Sequence, residues 1–346
     1  MADVFFMQRC FDLAQLGAGS VSPNPMVGAV LVHEGRIIGE GWHKKYGEAH
    51  AEVNCIRSVA PENQQYIPYS TLYCSLEPCF HFGKTPPCVD LIIQQEIPRV
   101  VVCNTDPNPR VAGQSIEKMK AAGIEVKTGV LEKEGRWLNR AFFCWIRENR
   151  PYIILKWAQT ADGFIGKTGE RTFISDLPAQ RMVHRWRSEV DAILVGTNTA
   201  VTDNPRLDTR FYFGKTPLRI SFDLNKKIPA GHHLLDDSTD TWIFGPGRAG
   251  NFSRTQFIPV EGSVTAPFLL EKLVGANRAV LFVEGGANIL NQFLSGGWWD
   301  EIRIMESSGR LGSGIAAPGL PLNIYLVDEF FVGDDKVSIF RPVTIS

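Results

Sequence analysis

A chain of 346 residues is too long for one typical core and fits two domains of roughly 150 residues each. Lys and Arg number 36 against 37 Asp and Glu, a formal net charge of -1 with the two signs mixed along the chain, which argues against the basic excess or Lys/Arg stripe of a nucleic-acid binder. Hydrophobic residues make up 44% of the total, yet no run of about 20 apolar residues exists, so no membrane-spanning helix is expected.

The N-terminus, MADVFFMQRC, has an acid before its short apolar run and an Arg after it, unlike a secretory signal. The seven cysteines are odd in number and form no compact disulfide framework. Both features point to the reducing cytoplasm, where clustered cysteines are metal ligands or core residues. Five of the seven are expected to be ordinary core or surface residues.

In chain order, residues 5–17 (FFMQRCFDLAQLG) have helical spacing and stop at a glycine suited to a C-cap. The Pro-rich turn SVSPNPMVG follows, and GAVLVHEGRIIGEGW reads as two short strands around a Glu-Gly turn. HAEVNCIRSVA is predicted as a helix beginning near His50, TLYCSLEPC as a strand entering the loop HFGKTPPC, and VDLIIQQ as the next helix. RVVVCNTD is a strand, and SIEKMKAAG with IEVKTGVL adds a helix–strand unit. Such alternation predicts a three-layer α/β domain. A boundary falls near 145–152, where WIRENRPYIILKWA ends a helix-like run, meets a Pro and opens an apolar strand, so the domains are set at 1–147 and 148–346. Beyond it, YIILKWA, AILVG, LRISFD, TWIFG, VLFVEGG and EIRIMES read as strands, PAQRMVHRWRSE, APFLLEKLVG and NILNQFLSGG as helices, and DDKVSIFRPV as a last strand. No internal repeat links the halves.

The most informative constellation is His50-Ala51-Glu52, then Glu77-Pro78-Cys79, then Cys88. Zinc takes His nitrogen and Cys thiolates, and a catalytic zinc keeps three protein ligands and one water. The ion brings that water's pKa close to neutral. Glu52, two residues after His50, would sit beside the metal without binding it, free to take the water's proton and pass it to a leaving amine. The order H-x-E, P-C, then a later C matches the signature of zinc nucleobase deaminases, except that eight residues separate the cysteines instead of two. Cys74, within a strand pattern, competes as a ligand and reads better as core.

The second half offers weaker signals. Lys156 stands near a strand end ahead of an Asp162-Gly163 turn; Gly196 follows an apolar strand and precedes Thr197, Thr199 and Asp203; Glu284-Gly285-Gly286 follows another strand and opens a helix. A Gly pair at a helix N-terminus can receive a phosphate through free N–H groups. No G-x-G-x-x-G follows a first strand, so a Rossmann domain is not supported.

EPCFHFGKTPPC, with HAE upstream and SPNPMVGAVLV before it, closely resembles the bifunctional deaminase–reductase family of riboflavin biosynthesis, and the resemblance extends over the whole chain. It implies a cytidine-deaminase-like α/β/α domain followed by a dihydrofolate-reductase-like α/β domain. The first would deaminate 2,5-diamino-6-(5-phosphoribosylamino)pyrimidin-4(3H)-one with Zn2+. The second would use NADPH to reduce the ribosyl group of 5-amino-6-(5-phosphoribosylamino)uracil to ribityl. The lengthened insert would serve the phosphorylated substrate through His81, Lys84 and Thr85, while Asn24 and His43 would face the pyrimidine. In the reductase, Lys156, Arg171, Arg187, Leu207, Arg210 and Glu284 would contact substrate, the two Arg187 and Arg210 forks gripping its phosphate. Ala158, Phe173, Thr199, Asp203, Gly285 and Gly286 would hold NADPH. Arg171 and Phe173 replace a commoner Ser and Trp, and TAD replaces SLD before Gly163. The family resemblance further implies a homo-oligomer, a dimer or tetramer, with a small-molecule substrate and neither nucleic acid nor membrane as partner. Two other readings are a nucleic-acid-editing deaminase, disfavoured by the charge balance and the cysteine spacing, and a deaminase with an inactive reductase-like scaffold.

Overall fold

The computed structural model describes residues 2–80, 86–109, 111–262 and 264–343. They fall into two compact units, Met1–Asn149 and Arg150–Ser346.

The first unit runs α1 (Ala2–Gln15), β1 (Gly28–His33), β2 (Arg36–Trp42), α2 (Ala51–Arg57), β3 (Thr71–Leu76), α3 (Cys88–Gln94), β4 (Arg99–Asn104), α4 (Gln114–Ala121), β5 (Glu125–Thr128), α5 (Glu132–Leu138) and α6 (Arg140–Glu148). Its sheet is ordered β2-β1-β3-β4-β5, with β1 antiparallel to β2 and β3, and β3, β4 and β5 parallel. The period of two along each strand builds three layers. Ala29, Leu31, Leu72, Cys74, Val100 and Val102 face a core with Ala51 and Cys55 of α2, Val89 and Ile92 of α3, and Met119 of α4. Val30, Val32, Tyr73, Val101 and Cys103 face the other way, onto Met7, Cys10 and Phe11 of α1. That is the expected α/β/α layering. Helix α1 begins three residues earlier than its spacing suggests. Asp3 lies in its first turn, and its carboxylate is held by Arg99, Lys127 and Tyr73.

Close packing of α2 on β2 depends on Gly41. A Cβ there would stand 2.2 Å from Cys55 N and 2.5 Å from Ala51 O, both backbone atoms of α2. Gly41→Ala is therefore expected to destabilise the unit by about 1–3 kcal/mol through overpacking, and to push His50 and Glu52 out of place. The check is a fall in melting temperature together with lower bound zinc.

The second unit runs β6 (Tyr152–Thr160), β7 (Phe164–Gly166), α7 (Leu177–Ser188), β8 (Ala192–Val195), α8 (Thr197–Asp203), β9 (Leu218–Phe222), β10 (Thr241–Phe244), β11 (Thr255–Ile258), α9 (Ala266–Gly275), β12 (Val280–Val283), α10 (Ala287–Ser295), β13 (Glu301–Ser307), β14 (Ile315–Ala316), β15 (Ile324–Val332) and β16 (Asp335–Pro342). The main sheet is ordered β11-β10-β9-β8-β12-β6-β13-β16-β15, parallel from β11 to β13 and antiparallel at β16 and β15. Leu194, Leu281, Val283, Leu155 and Ile302 bury one face under α9 and α10. Phe282 points the opposite way and meets Trp186 of α7. Successive strands β8 to β11 step outward in one direction, whereas β12 returns to lie between β8 and β6. Such a reversal opens a crevice at the carboxyl ends of the strands, where open α/β sheets bind ligands.

Among the described residues, no helix is long and apolar enough to cross a membrane. Cys10, Cys55, Cys74, Cys103 and Cys144 are buried and unbridged, in keeping with their reading as ordinary core residues.

Candidate active sites

In the first unit, β3 and the starts of α2 and α3 bring three ligand atoms together. His50 is the extended residue capping α2, Cys79 lies just past β3, and Cys88 opens α3. Their ligand atoms all lie within 4.8 Å of one another. His50 Nδ1 is 3.4 Å from both Cys79 Sγ and Cys88 Sγ. A tetrahedral ion bonded at about 2.1 Å to nitrogen and about 2.3 Å to sulfur needs that kind of spacing, so these donors fit zinc in geometry and in softness. The Cys88 backbone N–H donates to Cys79 Sγ at 3.2 Å. Hydrogen bonds from Cys88 and His50 hold the Cys79 thiol down at about 4, while Cys79 pushes the Cys88 thiol up. These hydrogen bonds favour the thiolate form of Cys79, the form that binds a metal. Cys74, the competing ligand, is fully buried in the α2–α4 core.

Glu52 is 3% exposed in the first turn of α2. Burial first, and then the Cys79 charge, raise its carboxyl to about 7. A general acid–base group works best with a pKa close to the working pH. His43 is also buried; burial lowers its pKa, so the ring is neutral. Its Nδ1 is 3.1 Å from the Ala49 carbonyl, which can only accept, so Nδ1 carries the proton and Nε2 accepts from Asn24 Nδ2 at 3.2 Å. The His43 and His50 rings meet edge to face at 5.4 Å. Asn24, His43, His50, Glu52, Cys79 and Cys88 therefore form one constellation. His81, Lys84 and Thr85 lie outside the described residues.

Two supporting side chains, Asn139 and Asn54, escaped the sequence reading of the site, and a third, Glu77, entered it only as part of the motif. Asn139 forms a paired clamp with Met26, accepting from its N–H at 2.8 Å and donating to its carbonyl at 2.9 Å, which pins the loop carrying Asn24. Asn54 donates to the carbonyls of Trp42 and Ala49, on either side of His43. Glu77, inside the motif, faces away from the cluster: it accepts from Asp106 N, Gly113 N and Ser115 Oγ and fastens the loop after β4. Only Glu77 had a signal, as a carboxylate ending an apolar strand.

In the second unit, a cleft of about 840 Å³ lies at the carboxyl ends of the parallel strands, within the ordinary range of ligand pockets. Its lining includes every residue expected above to contact the reductase substrate or NADPH: Lys156, Ala158, Arg171, Phe173, Arg187, Thr199, Asp203, Leu207, Arg210, Glu284, Gly285 and Gly286. Gly285 and Gly286 have φ of 135° and 76°, and a Cβ on Gly286 would stand 2.9 Å from Thr199 Oγ1. Bare backbone here leaves N–H groups open at the start of α10, a cradle suited to the phosphates of a dinucleotide. Arg187 is more committed than a free phosphate clamp. Its Nε and Nη2 donate to both Glu284 oxygens at 2.9 and 2.6 Å, and its Nη1 to the Asp208 carbonyl at 3.2 Å. Burial pulls the Glu284 carboxyl upward, but Arg187 and Lys156 outweigh it and keep it ionised. Burial likewise lowers the Lys156 amine. Arg171 stacks its guanidinium 4.6 Å from the centre of the largely exposed Phe173 ring. Asp162 is a turn anchor, accepting from Thr160 Oγ1 and from Leu311 N and Gly312 N.

Residues 1–104 match the cytidine and deoxycytidylate deaminase zinc-binding region, and residues 151–323 match the RibD C-terminal domain. The chain is 39% identical over 355 aligned residues to the riboflavin biosynthesis protein RibD of Aquifex aeolicus, covering 98% of each chain. It is 36% identical to RibD of Bacillus amyloliquefaciens, over 91% of this chain and 87% of that one. A crystal structure of the diaminohydroxyphosphoribosylaminopyrimidine deaminase/5-amino-6-(5-phosphoribosylamino)uracil reductase of Thermotoga maritima superposes with a TM-score of 0.90 at 33% identity, covering 99% of both chains. With both parts matched and the likeness running from end to end, the chain belongs to the RibD family of bifunctional deaminase–reductases of riboflavin biosynthesis.

Proposed function

We propose that residues 1–147 deaminate 2,5-diamino-6-(5-phosphoribosylamino)pyrimidin-4(3H)-one and that residues 148–346 reduce the ribosyl group of the resulting 5-amino-6-(5-phosphoribosylamino)uracil to ribityl. Zn2+ and NADPH are the two cofactors. The observation that carries the reading is the convergence of His50, Cys79 and Cys88 on one point with buried Glu52 beside them.

In the deaminase, His50, Cys79 and Cys88 hold the metal. Zinc supplies Lewis acidity that makes a water acidic near neutral pH. Glu52 takes a proton on its carboxylate and returns it to the departing amine, since ammonia leaves poorly unless protonated. Asn24, braced through His43, Ala49 and Asn139, presents a carboxamide of fixed orientation to the pyrimidine edge. Lys84 belongs to the same reading as a phosphate contact.

In the reductase, NADPH supplies the hydride. Ala158, Phe173, Thr199, Asp203, Gly285 and Gly286 bind it, while Lys156, Arg171, Arg187, Leu207, Arg210 and Glu284 place the phosphoribosyl chain. Removing the Lys156 ammonium takes away a charged hydrogen-bond donor, an interaction of about 1.5–3 kcal/mol. Lys156→Ala is expected to slow NADPH oxidation by roughly 10- to 150-fold while leaving ammonia release unchanged. The decisive assay follows ammonia release and NADPH consumption on the diaminopyrimidine substrate. Absence of either activity in zinc-loaded protein would sink the bifunctional assignment.

A homo-oligomer, dimer or tetramer, completes the reading. Exposed Tyr325, Leu326 and Phe331 on the outermost strand β15 support it, because bare apolar strand edges are normally covered. We place the protein in the cytoplasm, where its seven unbridged cysteines stay reduced.

A further inference from the structure

One buried titratable side chain of the reductase cleft has no part in the reading above. His184 of α7 is 3% exposed, lines the cleft, and lies against the Phe211 ring at 4.8 Å between centroids. Its Nδ1 is buried without a hydrogen-bond partner. Leaving a buried polar atom unpaired costs on the order of 1–3 kcal/mol. Such a group suits a protein that uses it in another state.

Asp208 Oδ1 stands 4.0 Å from that nitrogen, and in this state it takes Arg210 Nη1 instead. The charges acting on the imidazole are Arg187 on α7 itself, Arg210 and Asp208 on the segment after α8, and Glu284 at the end of β12. Lys156 lies beyond them and acts on Glu284. Burial first, then Arg187 and Arg210, keep His184 neutral, with its pKa down at about 4. Arg187 with Glu284 and Arg210 with Asp208 make two balanced pairs. A phosphate dianion settling on Arg210 breaks the second pair and leaves the half-buried Asp208 carboxylate without its cation.

We propose that His184 is the exchange partner of Asp208: when substrate phosphate draws Arg210 away, Asp208 turns to His184 Nδ1, which takes up one proton from solvent. The proposal rests on the reading that Arg210 receives the substrate phosphate. Only a proton moves: the buffer acid gives it up and an N–H bond forms at Nδ1, with no change of oxidation state. His184 is then a positioning residue, coupling phosphate binding to pH by keeping Arg210 and Asp208 apart.

Calorimetry tests it on the full chain, with ribose 5-phosphate as ligand at pH 7.5 in two buffers of different ionisation enthalpy. A phosphomonoester, with a second pKa near 6, is already mostly dianionic there and contributes little proton exchange of its own. Unmodified protein should take up between a few tenths and one proton per ligand bound. Its affinity should weaken from pH 6.5 to 8.5 by up to about tenfold per unit. His184→Asn and, independently, Asp208→Asn should bind with no uptake and a flatter pH profile, with KM for the reductase substrate raised and kcat little changed. Zero uptake by unmodified protein, or equal uptake by His184→Asn, would overturn the exchange. A different result defeats the reading beneath it: no binding of ribose 5-phosphate at all, or binding undiminished by Arg210→Met.

Discussion

Cys88→Ala protein is expected to purify with well under one zinc per chain and to release ammonia at least about 100-fold more slowly than the unmodified enzyme. Losing a residue that merely supports a ligand already costs about 10–100-fold in metal affinity or activity, and Cys88 is one of the three candidate donors that come together among the described residues. The loss should be local. Cys88 is 1% exposed at the start of α3, and alanine keeps that helix while removing the sulfur. Cys74→Ala is the matched control: also fully buried, but set in the core among Leu72, Val100 and Val102, it should keep its zinc. Metal content measured beside melting temperature separates the two effects. A Cys88→Ala protein with full zinc would refute the ligand set.

The candidate zinc ligands His50, Cys79 and Cys88 were legible because chemistry restricts such donors to few residue types and the chain presents them at recognisable spacing. The α/β/α layering was legible for a related reason, since the central strands β1, β3 and β4 alternate cleanly between two cores. What stayed hidden was either long-range or irregular. Asn139 acts 113 residues away from Met26, and nothing local marks it as the clamp on the Asn24 loop. Helix α8 carries no helical signal in the sequence, because TNTAVTD is poor in helix formers; the tertiary setting between β8 and β9 overrides propensity there. Strand β15 went unread although IYLVDEFFV is apolar, since a register shift between Leu326 and Asp328 breaks its period of two. The reductase residues came from family resemblance and not from spacing. Their gathering in one cleft, from six separate stretches of chain, supports that resemblance, but the Arg187–Glu284 pairing could be seen only in three dimensions.

Glu52→Gln should give the cleanest separation of the two activities. Glutamine keeps the shape and removes the carboxylate, so the metal donors at His50, Cys79 and Cys88 remain in place and zinc content should stay near one per chain. In the role proposed for Glu52 a proton shuttle is lost, and general acid–base groups contribute typically 10²–10⁴-fold, so ammonia release should fall by about that factor. Burial raises the Glu52 carboxyl to about 7. A neutral amide therefore removes an energetic burden from the first turn of α2, and the variant should be at least as stable as the parent. NADPH oxidation on the already deaminated intermediate should be unchanged, because the residues proposed for the reductase all lie in the second unit. Three measurements decide the matter together: zinc per chain, ammonia release from the diaminopyrimidine, and NADPH oxidation on the deaminated product. Loss of zinc would make Glu52 a ligand or a strut for the ligands, and a parallel fall in both activities would rule out two independent sites.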